Sequence, residues 1–224
     1  MRRVKFAVLA LFALAAVFAA TAGSASAVTL PEFTVETPAT SSQTVTSTFE
    51  NPGAGLLEGT ITSTKLTSEL TPTSKKEGKF HIHFTESKCK STLDGKGNAN
   101  SEGDEEGVIL VLGTYHIVGE AAHPLAWLLL EQVHITCHGS IAKVLILVSG
   151  NVLGSLSPVG SSTKTYTLTV KTSGEKQEIT EFVNNSGEKV KAELTTTVSE
   201  KSGPSTQNES EAVTITTEKA TELT

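Results

Sequence analysis

Four histidines supply the most chemically suggestive spacing in this 224-residue chain. His81 and His83 stand two apart, and His134 and His138 four apart. On extended backbone, residues separated by two or four share a face, so each pair presents both imidazoles on one side. If the two strands pair with each other, four neutral imidazoles would converge as a tetrahedral Zn2+ site. The competing reading is solvated histidines on the polar face of a sheet, and the lack of a carboxylate at a supporting offset favours it. Cys89 and Cys137 are the two cysteines. Neither lies in a CxxC pair or a nucleophile's local signature, which argues against a reactive or metal-bound thiol. In an oxidising compartment an even count favours one disulfide. That bridge would close a loop of about 50 residues and contribute on the order of 4 kcal/mol.

Other chemistries have weaker support. A serine nucleophile at a strand-to-helix elbow needs Gly-x-Ser-x-Gly, whereas Gly154-Ser155-Leu156-Ser157-Pro158-Val159-Gly160 reads as a turn after an apolar strand. A glycosidase needs two carboxylates facing across a cleft. Glu120 and Glu131 flank the single Trp127, but they read as strand-end or surface residues. Glu102, Asp104, Glu105 and Glu106 are clustered acids whose close spacing and Gly flanks suit a solvated loop better than a Ca2+ site. Asn184-Asn185-Ser186 and Asn208-Glu209-Ser210 match the glycosylation pattern, which Ser/Thr-rich chains produce by chance.

The compartment is read from the first 27 residues. Arg2, Arg3 and Lys5 form a positive start, Phe6 to Ala20 an apolar run, and Ala25-Ser26-Ala27 a small-residue cleavage site. The exported chain is expected to begin at Val28 and to be secreted or extracytoplasmic. Losing the three leader charges takes the formal net charge from −6 to −9, which argues against nucleic acid and anionic lipid as partners. No Arg follows the leader, and the aspartates are Asp94 and Asp104 alone. Arg-clamped recognition of phosphate or carboxylate is thereby excluded, and so is an EF-hand. The longest later apolar runs, Leu125 to Leu130 and Val144 to Val148, are far short of the roughly 20 residues a spanning helix needs. No membrane span, lipidation site or cofactor is expected.

Period-2 alternation supplies the elements. Phe80, Ile82 and Phe84 face one way and His81, His83 and Thr85 the other. Val133, Ile135 and Cys137 alternate with His134, Thr136 and His138, and Tyr166, Leu168 and Val170 with threonines. Thr suits such half-exposed strands. Val108 to Leu112 and Val144 to Val148 are continuous apolar runs, the pattern of strands buried on both faces, so Ile109, Val111, Ile135, Val144, Ile146 and Val148 are the expected core. Glu120 to Glu131 is the one helix candidate, and its His123-Pro124 step favours strand or turn. Residues 93–107, polar and rich in Gly and Asn, read as a mobile loop. Cys89 falls on the opposite parity from Phe84, so the disulfide requires a bulge near Glu86 to Lys88. The fold expected is all-β, an antiparallel β-sandwich or open barrel with a Thr/Lys/Glu-rich C-terminal β extension. Residues 28–159 form the main domain, and 160–224 either added strands or a small β domain.

The order of these features resembles a group of exported actinobacterial proteins. It runs from a Phe-rich strand ending in Cys89 through a Gly/Ser/Glu loop to Val108-Ile109-Leu110-Val111-Leu112-Gly113. His134-Ile135-Thr136-Cys137 and Val148 to Pro158 follow, with a Lys/Glu/Thr-rich final third. That group has no assigned activity, so the resemblance implies export and brings no functional residue with it. With no strong catalytic constellation, the expected function is a non-enzymatic envelope or extracellular β protein with a structural or binding role. The alternative is a secreted hydrolase using an unrecognised Glu/His site.

Overall fold

The computed structural model describes residues 30–51, 59–91, 95–139, 143–173, 176–184, 188–198, 201–204, 206–207 and 211–224. The leader and its cleavage site, Asp94 and Asn185 lie outside them. Among the described residues every regular element is a strand: β1 (Ala39–Asn51), β2 (Gly59–Pro72), β3 (Glu77–Thr85), β4 (Lys88–Ser91), β5 (Gly95–Ser101), β6 (Ile109–Glu120), β7 (His123–His138), β8 (Lys143–Ser157), β9 (Thr163–Val170), β10 (Thr172–Ser173), β11 (Lys176–Gln177), β12 (Glu181–Val183), β13 (Lys189–Lys191), β14 (Leu194–Val198), β15 (Lys201–Pro204), β16 (Thr206–Gln207) and β17 (Glu211–Thr221). No described helix is long and apolar enough to cross a membrane.

Eight of these strands close an antiparallel barrel. Each of β1, β2, β3, β6, β7, β8, β9 and β17 pairs with the next, and β17 returns to β1, so the ring follows chain order. The class is the all-β antiparallel one read from the alternation, and its form is a closed barrel, which leaves no free sheet edge around the ring. β9 and β17 are staves of that ring, and β10 to β16 are inserted between them. Within the insertion β14 pairs with β8 from Ile146 to Gly150. The β12–β13 hairpin covers the outer wall, where Phe182 and Ala192 pack with Val118, Leu153 and Trp127.

The apolar side of each strand points inward. Ile109, Ile135 and Val148 are buried, and Val111, Val144 and Ile146 pack against them half-buried. The continuous apolar runs are not covered on both faces, because a barrel has one interior: Leu145 is 56% exposed, and Leu110 and Leu112 are half-buried on the outside. The stretch read as a mobile loop is also corrected. Gly95–Ser101 is a strand because it fills the place between β4 and β7, with Ala99 fully buried. Glu120 to Glu131 is the β6–β7 hairpin and the first half of β7.

At one level of the barrel several strands change which parity faces inward. β1 shifts register between Thr44 and Ser47, and β7 between Leu130 and Val133. β2 steps inward from Ser63 to Leu66, and the β3–β4 stretch from Phe84 to Ser87. Their mutual register is unbroken, with Lys65 opposite Thr85 and Thr62 opposite Lys88. The two strands therefore kink together without an inserted residue, which brings Cys89 inward. Inside, the Ser63 and Ser87 hydroxyls share a hydrogen bond at 2.7 Å. Outside, Glu86 takes the left-handed conformation at φ 55° and accepts hydrogen bonds from Lys65 Nζ and Thr64 Oγ1. These partners, Lys65 first, hold its carboxyl below the ordinary glutamate range.

One end of the barrel is shut by the two ends of the described chain. Glu32 N–H donates to the Thr224 carbonyl and Thr224 N–H to that of Glu32, both at 3.0 Å. Phe33 then meets Tyr166 edge-on at 5.2 Å between ring centres, and Tyr166 donates its hydroxyl to the Thr221 carbonyl at 2.7 Å. Burial pushes the Tyr115 phenol up to about 12 and raises that of Tyr166, which Glu222 raises further. A raised folded value favours the native state fully below the ordinary tyrosine value of 10.0, and that advantage is lost as pH rises through about 12. Since the chain has two tyrosines, both in this interior and both raised, an ultraviolet titration of the native protein at pH 10.0 should show less phenolate than the half-ionised level of a free tyrosine at its ordinary value. Ionisation at or above that level, before the fold opens, would contradict the packing.

Candidate functional site

The histidines do not form one site. β6 lies between β3 and β7, so the pairing that a four-histidine centre requires is not made. His81 faces its cross-strand neighbour Leu112, and His83 faces Leu110. Both are exposed on the outer wall, whereas His134 and His138 are half-buried further round it. Among the described residues no three His, Cys, Asp or Glu side chains are placed to hold a metal ion. His134 instead stands 3.9 Å from the Glu102 carboxylate. A histidine without a partner in the sequence reading, His116, has the more built surroundings: its Nδ1 is 3.2 Å from Glu77, and its ring lies 5.5 Å from that of Trp127.

The carboxylate readings separate likewise. Glu120 ends β6 opposite His123, and Glu131 lies eight residues along β7, roughly 25 Å away at about 3.3 Å per residue. A glycosidase pair stands within about 10 Å. In the acidic loop Asp104 accepts from Ser101 Oγ and Glu106 from Asn98 Nδ2, so these carboxylates brace the turn and do not converge. Ser155 donates to the Thr169 carbonyl at 3.4 Å, an interaction within the wall.

Cys89 and Cys137 form a disulfide inside the barrel with Cα atoms 5.9 Å apart. They sit on β4 and β7, the two strands that flank β5, opposite Gly97 and Ala99 respectively. Gly97 makes this approach feasible: a Cβ there would lie 1.8 Å from the His138 carbonyl oxygen.

Above the disulfide the interior holds a cavity of about 170 Å3. Phe84, Val111, Leu130, Val133, Val152 and Val170 are among its lining residues, and among the described residues Ser63 is the only polar one. Its hydroxyl is already bonded to Ser87. The space exists because large side chains lie flat on the wall where it has none. The Phe80 ring covers Gly113, whose added Cβ would meet it at 2.5 Å, and Leu168 covers Gly154 at 2.6 Å. Leu128 and Leu168 line both this cavity and a smaller one of about 50 Å3 under Phe33. Periodicity alone shows which residues face inward, but an interior gap depends on which of them oppose glycines. That is why sequence reasoning missed it.

The ladder between β6 and β7 lapses beside this cavity. β6 pairs with β7 from Gly113 onward, and β5 pairs with β7 from Ile135 onward. Between them the Glu131–Gln132 bulge faces the 102–108 turn across one backbone bond, Glu102 N–H to the His134 carbonyl at 3.0 Å. A surface cleft of about 240 Å3 opens there, walled by Leu110, Leu112, Glu102, Asp104, Glu131 and His134. Val133 borders both this cleft and the interior cavity.

The chain is thus an eight-stranded, disulfide-linked antiparallel barrel around an apolar cavity. No protein-family model, no curated protein and no solved structure matches it.

The disulfide joins residues 48 apart, so replacing both cysteines by serine should lower stability by about 4 kcal/mol. Against a total of roughly 5–15 kcal/mol for a domain, the urea midpoint should fall steeply. An unchanged midpoint would contradict the placing of the bridge as a constraint on the barrel.

Proposed function

We propose that this chain is an exported, non-enzymatic bacterial β protein that holds a ligand inside its barrel, in the cell envelope or extracellular space. The apolar cavity inside the barrel carries the reading. Among the described residues none of the side chains lining it titrates, so it offers no general acid or base where a bound molecule would sit, and its one hydroxyl, Ser63, is bonded to Ser87 with no base beside it to activate it. On the outer wall His116 and His134 each stand beside one glutamate, Glu77 and Glu102, away from the cavity. Export is supported by the leader pattern and by a disulfide, which persists in oxidising compartments. The faces also fit an aqueous setting. Lys65, Thr67 and Glu69 on β2, and His81 and His83 on β3, point outward, while the interior is apolar, the reverse of a barrel whose outside meets lipid.

The reading is tested by thermal unfolding of the disulfide-intact protein with a panel of apolar molecules, from benzene to palmitate, and a matched panel of sugars. Ligands that bind only the native state raise Tm in proportion to their saturation. At least one apolar compound should raise it and no sugar should, and chromogenic esters and glycosides should be left intact. A panel in which no apolar compound acts, or turnover of an ester or glycoside, would overturn the proposal.

A further inference from the structure

Resting on that reading, we infer that the barrel takes one compact, neutral apolar molecule of about benzene's size, and that it passes through the cleft between β6 and β7. The size follows from the volume. An engineered cavity of about 150 Å3 lined by Leu, Ile and Phe stays dry and binds benzene or xenon, and the cavity here is about 170 Å3. A water needs two to four polar partners, and the lining presents only Ser63, already engaged by Ser87. The same poverty excludes a ligand with a buried charged head, for which no counter-charge lines the cavity. A long chain is excluded by volume, since the cavity of about 170 Å3 is close to one that benzene fills.

The route follows from where the ladder beside the cavity lapses without a side chain to bridge it. The end under Phe33 is shut by the reciprocal bonds between Glu32 and Thr224, the disulfide lies inside the barrel away from that end, and the short β1–β17 join is bridged by Gln43. The Glu131–Gln132 bulge, by contrast, has no ladder partner across from it on β6, and Val133 borders both cleft and cavity there. Glu102, Asp104 and Glu131 rim the opening. Their charge repels carboxylates on approach and leaves neutral molecules unaffected.

Fluorine NMR of fluorobenzene added to the full exported protein tests both parts. A saturable bound resonance is expected, displaced by benzene and unaffected by decanoate. Leu112→Trp fills the cleft and leaves the cavity lining untouched, so exchange should slow about tenfold or more at nearly constant affinity, as route effects act on rates. If that variant does not fold, Leu110→Trp from the same wall replaces it. Val152→Phe, which fills the cavity itself, should abolish binding. Decanoate binding without fluorobenzene binding would overturn the size and charge class while leaving a binding barrel standing. Unchanged exchange in the folded cleft variant would overturn the route. Silence from fluorobenzene, together with silence from every apolar compound in the thermal panel, would remove the binding reading as well.

Discussion

Everything in this molecule depends on the closing of the ring between β8, β9, β17 and β1. A sheet of this length left open would expose two edges and an apolar face, and closure removes both liabilities at once. Yet the closing ladders are short. β8 meets β9 over three residue pairs, and β17 meets β1 at Ala39 and Thr40. Side chains complete the join. Gln43 donates its amide to the Ala212 carbonyl and accepts from Thr214 N–H, both at 3.1 Å, and so serves as a ladder rung between β1 and β17. Tyr166 ties β9 to the end of β17. Seam and interior are therefore coupled, because the tyrosine that closes the ring also floors the smaller chamber.

The kink level gives the barrel its second property. Changes of inward parity in β2, in β7 and between β3 and β4, with a register shift in β1 at the same height, bend the wall and leave the β6–β7 ladder incomplete there. The cavity, the cleft and the Ser63–Ser87 bond all lie near that level. Glycines opposite Phe80 and Leu168 then decide how much of the interior is filled. An interior with eight staves is close to the size that side chains can fill on their own, so a few small residues are enough to leave a ligand-sized space.

Much of this was legible in local pattern. Alternation around Phe80 to Thr85 and Val133 to His138 assigns inward and outward faces correctly, and the His123-Pro124 step rightly steers Glu120 to Glu131 away from helix. The parity mismatch at Cys89 locates the kink near Glu86, although β2 kinks in step with it, which no single-strand reading can reveal. Non-local facts were not legible. Gly95–Ser101 looks like a loop because its strand character comes from neighbours far away in sequence. The change of composition near Pro158 leaves open whether added strands or a small unit follow, because the pairings of β9 with β8 and of β17 with β1 depend on residues far away in sequence. Apolar runs at Val108 and Val144 look doubly buried because they carry outward leucines, two of which wall the cleft. The four histidines share matching faces, but strand order, which spacing does not encode, puts β6 between them.

Closure of one ring by strands from both ends of the chain is the central claim. Native-state hydrogen exchange across a denaturant series measures it most directly, since it reports whether segments open together or separately. The account predicts that the amides of Tyr166 and Leu168 in β9 and of Thr214 and Ile215 in β17 join those of β6 and β7 in a single global unfolding isotherm. Exchange of β9 and β17 through a lower-energy opening, with β1 to β8 still protected, would show that the final third is a separate unit and that the ring is not closed.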